Sequence, residues 1–419
     1  MRVENLQALL GIGVFILIAW GLSERRDRFD WRVIAAGLGL QVGLALLLLY
    51  VPAIQTGLSA INGAVGAITH ATEAGATFVF GYLAAEPGAT AYPFAVTDGG
   101  ATYLLAFRVL PLILIFTVVS GILWQLRILP WIIRGFSFVL ERSMGVSGAV
   151  GVATAANIFL GMVEAPVMVR PYLERLSRSE LFMIMTCGMA TVAGSVMLLY
   201  SVLLQATLDN ALAHILTASV ISAPAALMLA RIMVPPDGFE DFADPVSIPS
   251  PYASVMDALT RTTTDGVRLM VNVGAMLLVL VTLVTLVNVA LGELPHPGGQ
   301  AISLERIFGV AFAPVAWLMG IPAHECLTAG SLLGTKLVLN EIFAYFALAD
   351  AALSSHSRLI MTYALCGFAN FASLGIMIGG LVGIMPARRD EIVSLAPRTL
   401  ISGTLATCMT GCLAGILSF

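Results

Sequence analysis

Apolar residues run along this 419-residue chain in long blocks rather than in alternation. A helix crosses the hydrocarbon core of a bilayer with about 20 mostly apolar residues. Blocks of that length lie at 4–22, 32–51, 103–126, 180–206, 210–233, 267–292, 357–385 and 396–418. Two further apolar stretches, 128–170 and 303–347, are interrupted midway by glycine and polar residues. Each is long enough for two short helices, so a segment that enters, turns and leaves on the same side fits both. Residues 53–76 are rich in Gly, Ala and Thr and only mildly apolar, which predicts an amphipathic helix along the outer surface. Residues 234–252, with Pro235-Pro-Asp-Gly-Phe-Glu-Asp-Phe-Ala-Asp244, read as a hydrophilic linker.

Arginine placement tests this topology. With Arg25, Arg26, Arg28 and Arg32 in the cytoplasm, both termini fall on the outer, periplasmic side. If both interrupted stretches are re-entrant, Arg127, Arg134, Arg142, Arg170, Arg175, Arg178, Arg231, Arg388 and Arg389 fall inside as well. The loops 85–101, 207–213 and 293–301 then fall outside, and they contain no Lys or Arg. That distribution obeys the positive-inside rule. Counting just one of the stretches as an ordinary span would place Arg388 and Arg389 on the wrong side.

Composition sharpens the class. The chain is 58% hydrophobic and 11% charged, against about 25% charged in soluble domains, so it is read as an integral membrane protein. A net charge of -4 without a basic run leaves nothing for nucleic acid to bind. The five cysteines sit in apolar runs and read as small buried hydrophobes. No cleavable signal peptide is expected, because the first apolar run lacks a cleavage site before the next span.

Two carboxylates break the apolar pattern. Glu164 lies in Asn157-Ile-Phe-Leu-Gly-Met-Val-Glu-Ala-Pro166, and Glu341 lies in Gly334-Thr-Lys-Leu-Val-Leu-Asn-Glu-Ile-Phe343. An ionisable group in a bilayer is costly and marks an ion or substrate path. After each comes an apolar segment interrupted by small and polar residues, with Thr191 and Asn370 lying 27 and 29 residues on: Gly188-Met-Ala-Thr-Val-Ala-Gly-Ser195 and Cys366-Gly-Phe-Ala-Asn-Phe-Ala-Ser373. The pattern thus divides into an N-terminal part (1–127, scaffold plus third span) and a first repeat unit (128–233, hairpin 128–170, broken span 180–206). The linker 234–252 and a long scaffold helix in 253–302 follow. A second unit occupies 303–419, with hairpin 303–347, broken span 357–385 and a last span. The two hairpins open to opposite faces, so the units are inverted copies. Inverted repeats whose interrupted helices meet near the midplane are the architecture of secondary transporters. The expected fold is therefore an all-α integral membrane protein. It has eight transmembrane helices plus two re-entrant helical hairpins in an inverted repeat, with broken helices at the binding site.

These residues also resemble a known family, the concentrative nucleoside transporters, in a bacterial form. The words that carry the resemblance are Asn157-Ile-Phe-Leu-Gly161, Glu164-Ala-Pro166, Ala193-Gly-Ser195, Ala329-Gly-Ser-Leu-Leu-Gly-Thr-Lys-Leu-Val-Leu-Asn-Glu341 and Ala364-Leu-Cys-Gly-Phe-Ala-Asn-Phe371. The resemblance runs over nearly the whole chain. It implies a homotrimer in the inner membrane that imports nucleosides with a sodium or proton gradient, moving a transport domain as an elevator. Residue by residue, it implies sugar recognition by Glu341, Asn370 and Ser373, with Phe368 against the substrate. Glu164 stands on the first-hairpin side of the same pocket, and Val196 is an apolar wall. For sodium, the coupling ion, it implies Asn157, the carbonyls of Leu160 and Val192, and the Thr191 hydroxyl. No other cofactor is expected, and membrane lipid surrounds the assembly.

The chain departs from the family where many members have Gly-Gln-Thr-Glu and this sequence has Gly161-Met-Val-Glu164. Met162 and Val163 remove hydrogen-bonding partners of the nucleobase, so an altered base preference is expected.

Blander readings stand beside these. Glu164 could pair with Arg170, and Glu341 with Lys336, the chain's single lysine. Asn157 and Thr191 could simply cap helix ends, which leaves proton coupling open. Asn272 and Asn288 read as helix-packing residues. His324-Glu325-Cys326 cannot converge on one ion, and no nucleophile–base pair marks an enzyme. A channel would need repeated polar rings along a pore. A nucleoside-sensing receptor is the non-transport alternative.

Overall fold

A computed structural model describes residues 3–28, 30–85, 92–95, 104–204, 208, 210–236, 250–294 and 301–417. Most of the linker and outer-loop residues discussed above, and His296, lie outside the described residues. Every regular element among the described residues is helical. The long N-terminal helices are α1 (Val3–Gly21), α2 (Trp31–Tyr50) and α3 (Pro52–Phe80), followed by α4 (Leu105–Arg108) and α5 (Leu110–Gln125). Then come α6 (Ile128–Met144), α7 (Gly148–Asn157), α8 (Glu164–Met168), α9 (Arg170–Leu173), α10 (Arg178–Ala190), α11 (Gly194–Leu204) and α12 (Ala211–Met233). The 38-residue α13 (Val255–Gly292) precedes α14 (Leu304–Leu318), α15 (Cys326–Val338), α16 (Glu341–Asp350), α17 (Ser355–Leu365), α18 (Phe371–Ile384) and α19 (Arg389–Leu417).

Six helical segments are long and apolar enough to cross a membrane: α1, α2, α4–α5, α12, α13 and the segment Pro386–Leu417. The other two expected spans are each two half-helices. Residues 191–193 separate α10 from α11, and residues 366–370 separate α17 from α18. The sixth expected span, 267–292, begins twelve residues earlier. Ser254 caps α13 at the Asp257 amide, and an Asp257–Arg261 pair at 2.8 Å supports its polar first turns.

The two interrupted stretches need a larger correction. Each was expected to hold two helices with a turn at its glycine-rich middle. Instead each holds an amphipathic helix and then a helical pair. Gly145, at φ 60, ends α6, and the tight tip comes later, between α7 and α8. Likewise Gly320, at φ 91, follows α14, and the tip is the two-residue link between α15 and α16. The sequence period of α6 explains the misreading. Its Trp131 and Phe138 are exposed while Leu129, Ile133 and Leu140 are buried, so its apolar residues serve two surfaces at once.

The repeat is visible element by element. In each unit an amphipathic helix leads to a short helix, a tip, and a return helix whose first residue is the glutamate. A broken helix and a long helix containing an interior proline, Pro224 or Pro397, complete the unit. Each hairpin is tied at its base to the broken helix that follows. In the first unit Ser147 Oγ donates to Glu180 Oε1 at 2.5 Å, and the Ser177 N–H donates to Glu180 Oε2 at 2.7 Å. In the second the Ser354 N–H and Oγ each donate to Glu325 at 3.0 Å. The carboxylate has changed sides, from the third residue of α10 to the N-cap of α15, while the tie is kept.

Packing separates two groups of helices. Along α12 and α19 most residues are buried, and α10, α17, α1 and α2 pack against this pair. By contrast α13 buries four residues in 38 and lies mainly against α5. There Gly121 accepts the Thr262 side chain, and Gly266 accepts Leu114. Of the N-terminal spans, α1 packs on α19 and α14, and α2 packs on α12. Small residues permit this: a Cβ on Gly11 would strike the Leu318 carbonyl, and one on Gly37 would strike Met228. Glu24, in the loop after α1, clasps Arg178 at 2.9 Å and Arg398 at 2.7 Å, fastening α1 to α10 and α19.

Candidate functional site

The second tip is built by two caps. Asn340 accepts from the Phe343 N–H at 3.1 Å, starting α16 so that Glu341 becomes its first residue. Asn370 accepts from the Ser373 N–H at 2.7 Å and starts α18 after the helix break. Asparagine is a preferred N-cap because its side-chain oxygen satisfies an orphan amide. That bond fixes the amide's orientation, and Asn370 Nδ2 then donates to Glu341 Oε2 at 2.7 Å. The other carboxylate oxygen, Oε1, accepts from the Tyr200 hydroxyl at 2.7 Å. Glu341 is 4% exposed and Asn370 fully buried. A carboxylate held this way is one of the stronger hydrogen-bonding arrangements in proteins. Ser373 and Phe368, both buried, flank the group.

The two helix breaks touch. The Phe368 N–H donates to the Thr191 carbonyl at 3.3 Å, and a Cβ on Gly367 would lie 2.9 Å from the Ala190 carbonyl oxygen. Only glycine permits that approach. The first tip joins them, since the Gly194 N–H donates to the Phe159 carbonyl at 3.0 Å. Gly161, at φ 125, turns the chain there, in a region that side-chain-bearing residues rarely adopt.

Around this first tip gather the oxygens expected to hold a cation. Asn157 ends α7, is 1% exposed, and has no hydrogen-bond partner on either Oδ1 or Nδ2. Its amide lies against Gly188, one turn before Thr191, because a Cβ on Gly188 would sit 3.7 Å from Asn157 Nδ2. Thr191 Oγ1 donates to the Cys187 carbonyl at 2.8 Å, which leaves its lone pairs to accept or coordinate. Leu160 and Val192 lie in the irregular backbone of the tip and the break. An orphaned buried amide is uncommon enough to require a reason. A monovalent hard cation fits Oδ1; it does not answer Nδ2.

Of the remaining first-tip residues, Met162 packs on the same Gly188, and Val163 packs on Gly380 of α18. Glu164, exposed, does not join the Glu341 network; it lines a cleft of about 570 Å³ with Ser120, Trp124, Asp265, Arg268 and Asn272 of α5 and α13. Asn272, expected to bond neighbouring helices, faces that same cleft. Asn288 does bridge helices: its Oδ1 accepts from the Leu304 N–H at 2.9 Å. Val196 is buried in the first turn of α11.

The ion pairs weighed as alternatives, Glu164 with Arg170 and Glu341 with Lys336, do not form. Lys336 Nζ donates instead to the Ala364 carbonyl at 2.9 Å and to Thr407 Oγ1 at 3.0 Å, tying α15 to α17 and α19. Sequence reading missed Tyr200 altogether. The available signal was a phenol inside an otherwise apolar run, which must find a partner when buried. It also missed Ser219, whose Oγ accepts from the Val192 N–H at 3.3 Å.

A bundle of apolar helices, two of them broken where polar side chains are buried together, defines a multi-pass membrane protein with an internal polar site. Family models described as Na+ dependent nucleoside transporter N-terminus, Nucleoside recognition, and Na+ dependent nucleoside transporter C-terminus match residues 10–83, 106–207 and 214–415. The nucleoside permease NupC of Helicobacter pylori is 34% identical, across 99% of this chain and 98% of its own. An uncharacterized transporter of Haemophilus influenzae is 37% identical, across 98% of this chain and 97% of its own. The sodium/nucleoside cotransporter 1 of Rattus norvegicus is 31% identical, across 99% of this chain and 64% of its own. A solved transporter, CNTnw, in an inward-facing substrate-bound state superposes with a TM-score of 0.88 at 33% identity, covering 99% of this chain and 98% of that one. The chain belongs to the concentrative nucleoside transporter family.

Proposed function

We propose that the protein is a secondary active symporter that imports nucleosides across the inner membrane, driven by a sodium gradient. The observation that carries this reading is the buried Glu341–Asn370 pair at the second tip, in a chain of this family. Ribose offers vicinal hydroxyls. A carboxylate has about four lone-pair sites, and here two are filled by protein donors, leaving one on each oxygen for a sugar hydroxyl. Ser373 completes the sugar contact, Phe368 and Val196 supply apolar walls, and Met162 and Val163 face the base. Glu164 closes the pocket from the first tip when the cleft beside it narrows.

Sodium is held by Asn157 Oδ1, the Thr191 hydroxyl and the carbonyls of Leu160 and Val192, a neutral oxygen cage suited to a monovalent ion. Its supporting observation is the partnerless Asn157 amide. In this reading the eight spans and two re-entrant hairpins form an inverted repeat, and both termini face the periplasm. Three copies assemble through a scaffold containing α5 and α13. The central helices then carry the site past that scaffold as an elevator, consistent with the thin contact between the two groups. Proton coupling is the second reading, favoured by the exposure of the titratable Glu164 to a polar cleft. Uptake into proteoliposomes under separate sodium and pH gradients distinguishes the two. Concentrative nucleoside uptake that needs sodium supports the proposal, uptake that follows only the pH gradient transfers coupling to protons, and no concentrative uptake under either removes the symporter reading.

A further inference from the structure

Lys336 is a buried ionisable group that the sugar and ion readings leave unused. It is 2% exposed, on α15 of the second hairpin. Both oxygens that its Nζ meets are neutral: the Ala364 carbonyl at 2.9 Å and Thr407 Oγ1 at 3.0 Å. The Thr407 hydroxyl donates its own hydrogen to the Thr404 carbonyl at 3.0 Å, so a lone pair faces the lysine. Two neutral acceptors do not by themselves offset the cost of burying an ammonium. The reason for its placement lies in the backbone of the helix break.

In an unbroken helix the Phe368 N–H would close on the Ala364 carbonyl, four residues earlier. Here it donates across to the Thr191 carbonyl instead. Ala364 therefore stands at the carbonyl end of a half-helix, where unpaired C=O groups carry partial negative charge and favour a cation. Lys336 answers that end. The first repeat has the same loss. The Val192 N–H, which would close on Gly188, donates to Ser219 Oγ at 3.3 Å. The Gly194 N–H, which would close on Ala190, donates to the Phe159 carbonyl at 3.0 Å. The carbonyl end of α10 is thus freed as that of α17 is, but the side chain the first hairpin brings beside it is the neutral, partnerless amide of Asn157. The chain positions correspond, for Asn157 stands seven residues before Glu164 and Lys336 five before Glu341. One repeat carries its own positive charge to the break, and the other brings an uncharged oxygen. We propose that Lys336 is a tethered cation: its ammonium holds, at the carbonyl end of α17, the place that a free monovalent ion takes at the end of α10, so that the second repeat needs no ion of its own. The comparison with α10 rests on the sodium reading given above.

The test uses the full-length protein in proteoliposomes, with the nucleoside best transported from a four-base panel. Lys336→Ala opens a space where the ammonium stood and should lower uptake by about 10- to 100-fold, the effect of leaving a buried carbonyl and hydroxyl unanswered. Added ammonium or methylammonium should restore at least half of the wild-type rate, whereas tetramethylammonium, which has no N–H to donate, should not. Without these ions, the Hill slope for sodium should rise from near one in the wild type toward two in Lys336→Ala, as a second free ion is recruited. Lys336→Met keeps the length, fills the space and should stay defective whichever ion is added. Wild-type transport by Lys336→Ala or Lys336→Met overturns the proposal. So does a folded Lys336→Ala whose uptake responds neither to ammonium nor to extra sodium, because the lysine is then a tie between helices and nothing more. Where Lys336→Ala is recovered only as aggregate, the same ions are added during extraction from the membrane. Monodisperse protein with ammonium but not with tetramethylammonium supports the tethered cation, and aggregate with both overturns it. Wild-type uptake that needs no sodium is a different result: it removes the ion reading at α10, while ammonium rescue still reports on Lys336 alone.

Discussion

The two hairpin tips are copies of one design with opposite finishing. At the second tip both carboxylate oxygens of Glu341 accept a hydrogen bond, from Tyr200 and Asn370, and the amide of Asn370 is in turn fixed by its cap to Ser373. At the first tip the corresponding glutamate faces an open cleft, and the buried amide of Asn157 has no partner at all. A satisfied, dry network is rigid and suits a group that is the same in every substrate. Open and orphaned groups suit what comes and goes: an ion that must be released, and a base that varies. In the proposed reading, one half of the site holds the sugar in fixed geometry, and the other responds to ion and base.

The largest effect should come from breaking the satisfied half. Glu341→Gln keeps size but removes the charge that both donors and both sugar hydroxyls address. Hydrogen bonds to a charged group contribute about 1.5–3 kcal/mol each, so losing two lowers uptake by about 100-fold or more. Uptake by the purified variant, with size-exclusion behaviour as the folding control, is the measurement. Near-normal transport would remove Glu341 as the sugar ligand. Asn157→Ala attacks the responsive half and should spare the sugar. Half-saturation by sodium should rise about 10-fold while the KM for nucleoside at saturating sodium changes little. A raised nucleoside KM with unchanged sodium dependence would reverse the assignment of the two halves.

How far the sequence foretells this difference varies along the chain. The long apolar blocks announce themselves because a bilayer admits few solutions, so α1, α2, α12, α13 and α19 were legible with errors confined to their polar ends. The helix breaks were legible too, since small and polar residues interrupt both apolar runs, at 191–193 and 366–370. What the pattern concealed was the third helix in each hairpin unit. An amphipathic helix and a hairpin leg have similar composition, and only the left-handed residues Gly145 and Gly320 divide them. The partners of α1 and α2 were hidden for a related cause: chain order does not reveal which apolar helix a small-residue stripe will meet. At the site, the residues with unusual chemistry for a membrane, Glu164, Glu341, Asn157 and Asn370, stood out. Tyr200 did not, because a tyrosine is at home in an apolar run and its hydroxyl acquires meaning only from a partner 141 residues away.

Base recognition sharpens the comparison from the responsive side. Met162 and Val163 are packed against Gly188 and Gly380, and in the proposed reading they meet the base with apolar surface and sulfur rather than with hydrogen-bonding groups. Met162→Gln with Val163→Thr should shift the ranking of a nucleoside panel by about 5- to 100-fold, the cost of one to two unpaired polar groups gained or lost. A double variant with the wild-type base ranking would show that the tip does not read the base.

The smallest effect concerns the clasp that holds both halves in register. Glu24 accepts a hydrogen bond from Arg178, which holds its carboxyl below the usual carboxylate range against partial burial, and Arg398 adds to the attraction. A depressed folded-state pKa stabilises the protein above the unfolded pKa of about 4.3, and the contribution disappears as pH falls through the lower folded value. These groups are partly exposed, so solvent screening limits the contribution to about 0.5 kcal/mol. Melting temperature measured from about pH 6 down to about pH 3 should therefore fall slightly more in the wild type than in Glu24→Gln, with the difference shrinking at high salt. Because the clasp joins α1 to α10 and α19, all within the central group, its loss should leave sodium dependence and base ranking untouched. A change in either would mean that the loop after α1 couples to the tips, and the division between a rigid and a responsive half would have to extend to the helix ends.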